Sequence, residues 1–168
     1  VRLHAFAFLR EKFDVETYEF HLSFTEALSG DFEKALLEIS VKDNISIHLP
    51  DYIPGNRLLD PISRDDQIRS ASCHLIENIG VFAQKIQDKI SKRVNIVGSF
   101  SQCHNNNRED NLDEIFEYIS NSNSYILPQW LPVFAWYFGG SVKLELFNSY
   151  DDIQYLRLNN CKICLDLS

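Results

Sequence analysis

From Tyr18 to Phe24 apolar and polar side chains alternate, with Tyr18, Phe20 and Leu22 on one side and Glu19, His21 and Ser23 on the other. That period predicts a strand with one polar face. Further strands are predicted at Asn44 to Leu49, Val94 to Phe100, Tyr125 to Gln129 and Cys161 to Ser168, each a short apolar run bounded by turn residues. Between them the period changes to that of helices. Leu9 and Phe13, with Phe6 or Ala5, give a helix over Val1 to Asp14. Phe32, Ala35, Leu36 and Ile39 give another. The longest runs from Ser63 to Ile90, where Ser63, Asp65 and Asp66 suit a helix start and Ile68, Ala71, Leu75, Ile79, Phe82, Ala83 and Ile86 keep the period. Shorter helices are expected at Leu112 to Ile119 and Asp151 to Leu156.

One stretch fits neither period. ILPQWLPVFAWYFGG, residues 126 to 140, carries both tryptophans and two prolines that forbid a helix, so it reads as a short strand entering a packed loop. Such a loop can bind a small molecule or plug a core. Strands alternating with helices argue for an α/β fold with a parallel sheet, and both a doubly wound sheet and a barrel fit. No glycine-rich phosphate loop follows any strand. Polar residues do recur at the carboxy ends of strands: Glu19 and His21, His48, Gln129 and Asp166. A (β/α)8 barrel builds its active site there.

Composition narrows the classes. The chain has 168 residues, 45% hydrophobic, enough for one domain with a sizeable core. Its net charge of -8 and the lack of any Lys/Arg run argue against nucleic acid as a partner. No segment approaches a membrane span and the start is unlike a signal peptide, so the cytoplasm is the expected compartment. The four cysteines, Cys73, Cys103, Cys161 and Cys164, are too few and too unevenly spaced for a disulfide framework and are expected to be free thiols. Cys161 and Cys164 form a CxxC with no second half to complete a zinc set. The absence of methionine leads us to expect a piece of a longer chain.

The stretch NRLLDPISRDDQIRSASCHLIENIGVFAQKI, Asn56 to Ile86, with IHLPD before it, resembles the xylose-isomerase-like TIM barrels, which include sugar-phosphate isomerases, epimerases and endonuclease-IV-like enzymes. More narrowly, YEFHLSF, LPQWLPVFAWYFGG and CKICLDLS resemble the version of that barrel appended to bacterial N-acetylneuraminate (sialic acid) synthases. The resemblance implies a (β/α)8 TIM barrel, of which this chain supplies about five β/α units, in a single partial domain over residues 1–168. It also implies a divalent metal (Mn, Zn or Mg) held by His48 and Asp166. The usual histidine of the third strand and glutamate of the fourth are missing, the latter replaced by Gln129.

The candidate residues follow. Glu19 and His21 share a face and suit an acid–base pair, or an ion pair that orients the strand. His48 and Asp166 join them as catalytic candidates. Gln129 suits a sugar hydroxyl. Trp130 and Trp136 can stack on a sugar ring or seal the core, and Arg57 can hold a phosphate or carboxylate. Two functions are expected to compete. One is a sugar or sugar-phosphate isomerase or epimerase of nonulosonic acid biosynthesis. The other is a non-catalytic carbohydrate-binding or regulatory domain, covalently linked to a synthase.

Overall fold

The computed structural model describes residues 1–13, 15–29, 32–137 and 140–166, and of residues 135–137 and 140–142 the backbone alone. After a short 3-10 turn at Leu3–Ala5 come α1 (Phe6–Lys12), β1 (Thr17–His21), α2 (Phe24–Ser29), α3 (Phe32–Glu38) and β2 (Asn44–His48). There follow β3 (Tyr52–Ile53), β4 (Arg57–Leu58), α4 (Asp66–Ile90), β5 (Asn95–Gly98), α5 (Arg108–Ser120) and β6 (Tyr125–Trp130). The chain continues through β7 (Phe134–Tyr137), β8 (Gly140–Lys143), α6 (Tyr150–Leu158) and β9 (Cys164–Leu165).

Five strands form one all-parallel sheet in the order β1-β2-β5-β6-β9. Each crossover therefore steps to the next position in the same direction, which leaves the helices on one face. A doubly wound sheet reverses direction part-way, and this sheet does not. It curls into a half-barrel wall. β3 and β4 make a small antiparallel hairpin beyond the carboxy end of β2, turned through Gly55 and Asn56, which both have positive φ. β7 and β8 make a second hairpin. The aromatic stretch, expected as a short strand entering a packed loop, continues past β6 into this hairpin, and Phe134 stands exposed.

The helix side carries the core. Phe6 meets Tyr18 and Phe20 edge-on, each at 5.0 Å, while Phe82 of α4 lies 6.2 Å from Phe20 and stacks on Phe32 at 4.2 Å. Ile47, Ile79, Ile86 and Ile96 are fully buried with them. At about 1.5–3 kcal/mol per buried large side chain, this layer is the principal stabilising element. α4 is positioned by Asp65, whose carboxylate accepts from the backbone N–H groups of Gln67 (2.8 Å) and Ile68 (3.2 Å), and it ends at Ser91 in the left-handed conformation.

The expected strands all appear, four of them ending short of the expected bounds, β1 and β9 most of all. β1 stops at His21 because the next residues start a helix. Ser23 and Glu26 form a reciprocal cap in which Glu26 N donates to Ser23 Oγ and Ser23 N to Glu26 Oε2, and Phe24–Ser29 becomes α2. β9 covers Cys164–Leu165, and the rest of the expected strand to Ser168 lies outside the described residues, Asp166 excepted. No helix among the described residues is long and apolar enough to cross a membrane.

Candidate functional site

The strand register sorts side chains into two sets. Tyr18, Phe20, Ile45, Ile47, Ile96 and Ile126 turn toward the helices. By the two-residue period, Glu19, His21, Ser46, His48, Asn95, Val97, Gln129 and Cys164 turn to the concave face. Because β1 and β2 pair His21 with His48 and Glu19 with Ser46, the four polar residues form a patch.

Two hydrogen-bonded groups meet in that patch. In the first, Nε2 of His21 donates to Oε1 of Glu19 at 2.6 Å, and Ser46 Oγ donates to Glu19 Oε2 at 3.3 Å. Both side chains of this dyad are open to solvent. The hydrogen bond from His21 holds the Glu19 carboxyl below the usual range, against the opposing effect of its partial burial.

The second group is set deeper, with His48 and Gln129 buried and Ser99, Asp51 and Asp166 half-buried. His48 stacks on His21 with ring centroids 4.5 Å apart and planes 12° from parallel. Gln129 Nε2 donates to Asp166 Oδ2 at 2.9 Å, which turns its carbonyl Oε1 toward Ser99 Oγ (2.8 Å) and His48 Nε2 (3.0 Å). Since Oε1 only accepts, Ser99 donates its hydroxyl there and His48 its Nε2–H. His48 Nδ1 lies 2.7 Å from the carbonyl of Leu49. Asp51, three residues beyond β2, completes the group. Burial raises its carboxyl above the ordinary aspartate range, opposed by the charge of His48 and by Ser99, and among the described residues its Oδ1 is buried without a partner.

No protein-family model, curated protein or solved structure matches the chain.

The structure brings together Glu19, His21, His48, Gln129 and Asp166, all named from the sequence. Trp130 is one residue past Gln129 and takes the opposite face. Its indole N–H donates to the carbonyl of Ser149 at 3.0 Å, at the start of α6. The backbone of Trp136 lies in β7 opposite Ser141, and its side chain is outside the described residues, as is Phe138. Arg57 opens β4, half-buried, with no polar partner among the described residues.

Sequence reasoning missed Ser99 and Asp51, which follow strand ends as part of VGSF and HLPD. It also missed a second acid–base pair. His104 Nε2 lies 2.6 Å from Asp60 Oδ2, both nearly buried, joining the loop after β5 to the segment before α4. Burial raises the Asp60 carboxyl while His104 opposes that rise. The two residues are 44 apart, with no motif to announce them. His104 also lines a polar cleft of about 570 Å³ with Asn105, Arg108, Lys143, Glu145 and Asn148.

The thiols offer no nucleophile. Burial raises all four, so none is poised as a thiolate. Among the described residues no three His, Cys, Asp or Glu side chains gather to hold a metal ion.

Proposed function

We propose that the concave face binds a sugar or sugar phosphate and that the Glu19–His21 dyad moves a proton on it. In this reading the chain is a sugar isomerase or epimerase of the xylose-isomerase-like TIM-barrel kind, associated with bacterial nonulosonic (sialic) acid biosynthesis. The consecutive strand order and the polar carboxy ends of its strands support the barrel. The observation that carries the chemistry is the 2.6 Å dyad standing open on that face.

With Nε2–H given to Glu19, Nδ1 of His21 is left to act as a base. It takes a proton from the carbon beside a carbonyl; the C–H electron pair forms the C=C bond and the carbonyl π pair moves onto oxygen, giving an enediolate. Glu19 steadies the imidazolium so formed. Return of the proton to the former carbonyl carbon, with the neighbouring hydroxyl proton passing to the other oxygen, isomerises the sugar, and return of a proton to the original carbon from the other face epimerises it. Arg57, in the hairpin beyond the carboxy end of β2, is the cation assigned to a phosphate.

A test uses solvent exchange in D2O, followed by NMR, with a panel of aldose and ketose phosphates and N-acetylated sugars. The wild-type chain is expected to wash deuterium into one of them at the carbon beside the carbonyl. Glu19→Gln is expected to slow exchange by at least about 100-fold with ligand affinity nearly intact. Exchange that persists in Glu19→Gln removes the dyad from the mechanism.

A second reading is a cytoplasmic carbohydrate-binding or regulatory domain, covalently joined to a synthase. The buried amide of Gln129 between His48 and Asp166 favours it, because that group is tied to itself. Sugar binding without exchange in the same experiment selects this reading.

A further inference from the structure

We infer that the side-chain amide of Gln129 stands in the place of a cation between His48 and Asp166, so that the site works without a divalent metal and lies one substitution from holding one. This rests on the contacts of Gln129 and not on the identity of any sugar.

A divalent cation needs several lone pairs aimed at one point, at roughly 2.0–2.6 Å. Here the two side chains expected to supply them are already committed. Nε2 of His48 points its hydrogen at Gln129 Oε1, and the Leu49 carbonyl closes the Nδ1 edge at 2.7 Å, so neither ring nitrogen is open to a cation. Oδ2 of Asp166 accepts from Gln129 Nε2. The amide thus presents an acceptor to the imidazole and a donor to the carboxylate, which is how a neutral group satisfies both.

Its orientation is fixed. Turning the amide over would set Oε1 against the Asp166 carboxylate, set Nε2 against the His48 N–H and leave the Ser99 hydroxyl without its acceptor. Gln129 is buried on a strand hydrogen-bonded to β5 and β9, so it cannot swing clear without breaking all three contacts.

The substitution Gln129→Glu reverses the situation. One oxygen of the new carboxylate would keep the Ser99 and His48 donors, while the other would face Asp166 Oδ2 where the amide N–H now stands. A cation or an added proton relieves that contact between like charges. Metal would then replace the hydrogen bonds that the amide provides.

The experiment titrates untagged wild-type chain and untagged Gln129→Glu with MnCl2 and ZnSO4 by calorimetry. Metal content after desalting and melting temperature with and without metal are measured alongside. The wild type is expected to retain no stoichiometric metal and to melt at the same temperature with Mn present. Gln129→Glu is expected to bind one equivalent, at least about 10-fold more tightly than the wild type, and to melt lower than the wild type until metal restores it. A wild-type chain that holds one equivalent, lost on His48→Ala, overturns the inference. So does a folded Gln129→Glu with no gain in affinity, or one that folds in neither metal-free nor metal-containing buffer. None of these readouts involves a sugar, so failure here is separate from failure of the isomerase reading.

Discussion

Asp152 is the charged residue whose removal should be felt most. Its carboxylate is 1% exposed and accepts four hydrogen bonds: Arg108 Nε at 2.8 Å, Arg108 Nη2 at 2.5 Å, Asn148 N at 2.9 Å and Ser149 N at 3.0 Å. Arg108 also reaches the Glu145 carbonyl and Asn148 Oδ1. One ion pair therefore joins the start of α5, the segment after β8 and the first turn of α6. In Asp152→Asn the amide oxygen can take the three donors at Oδ2, which leaves the amide NH2 facing Arg108 Nε, donor against donor. Breaking a buried pair costs about 3–5 kcal/mol. Arg108 is 40% exposed and can be rehydrated, so we expect roughly 2–3 kcal/mol here. That corresponds to a fall of roughly 4–12 °C in melting temperature for a chain of this size.

The pH dependence gives an independent check. The Asp152 carboxyl is held below the ordinary range, its hydrogen bonds, led by that from Arg108, outweighing the opposing effect of burial. A depressed carboxyl contributes stability that is fully present above the unfolded-state value of about 3.9 and is lost as pH falls through the lower folded-state value. Urea unfolding of wild type and Asp152→Asn, followed by circular dichroism, should give a constant gap from pH 7 to about 5 that narrows below about 4. A gap under about 0.5 kcal/mol at pH 7, or one that keeps its size at pH 3, would refute the reasoning.

Two further predictions concern the scaffold. Phe82→Ala empties the contact among α4, β1 and α3 and should cost about 3–5 kcal/mol in urea unfolding; Phe82→Leu should recover more than half of that. Asp65→Ala removes the acceptor for two N–H groups at the start of α4 and should cost about 1 kcal/mol, which Asp65→Ser should largely restore, as read by the same unfolding experiment.

What the sequence disclosed was periodic or local. The alternation in Thr17–His21 placed Glu19 and His21 on one face, and the spacing from Ile68 to Ile86 drew α4 to within three residues of its start. The Ser23-x-x-Glu26 signature of α2 was present, yet the apolar alternation running through Leu22 and Phe24 masked it, because two periods overlap there. Sheet order was not local. Both a doubly wound sheet and a barrel fit the alternation of elements, and only the pairing of β1 with β2, β2 with β5, β5 with β6 and β6 with β9 separates them. Gln129 could be named from its strand position, but its role depends on Ser99, His48 and Asp166, up to 81 residues away. His104 and Asp60 belong to loops, where side-chain direction follows no period.

The two faces of the sheet differ in how their polar atoms are satisfied, and that difference locates function better than any single residue. On the helix side, and in the loops apart from Asp51, the buried side-chain polar atoms of the described residues are matched. Ser72 accepts from Asp60 N, Asn111 serves His104, Asn105 and Asn107, and Asp152 takes four donors. Among the described residues the buried side-chain atoms with no partner are Asp51 Oδ1 and Asn95 Oδ1. Asn95 lies on the concave face by register with Ser46, and Asp51 senses the charges of His48 and His21. Each unmatched buried oxygen costs about 1–3 kcal/mol against folding. Apolar replacements there would relieve that cost without touching the core of Phe20, Phe82 and Ile96. Both unmatched oxygens thus belong to the side of the sheet that carries the dyad, and neither belongs to the apolar layer that holds the helices in place.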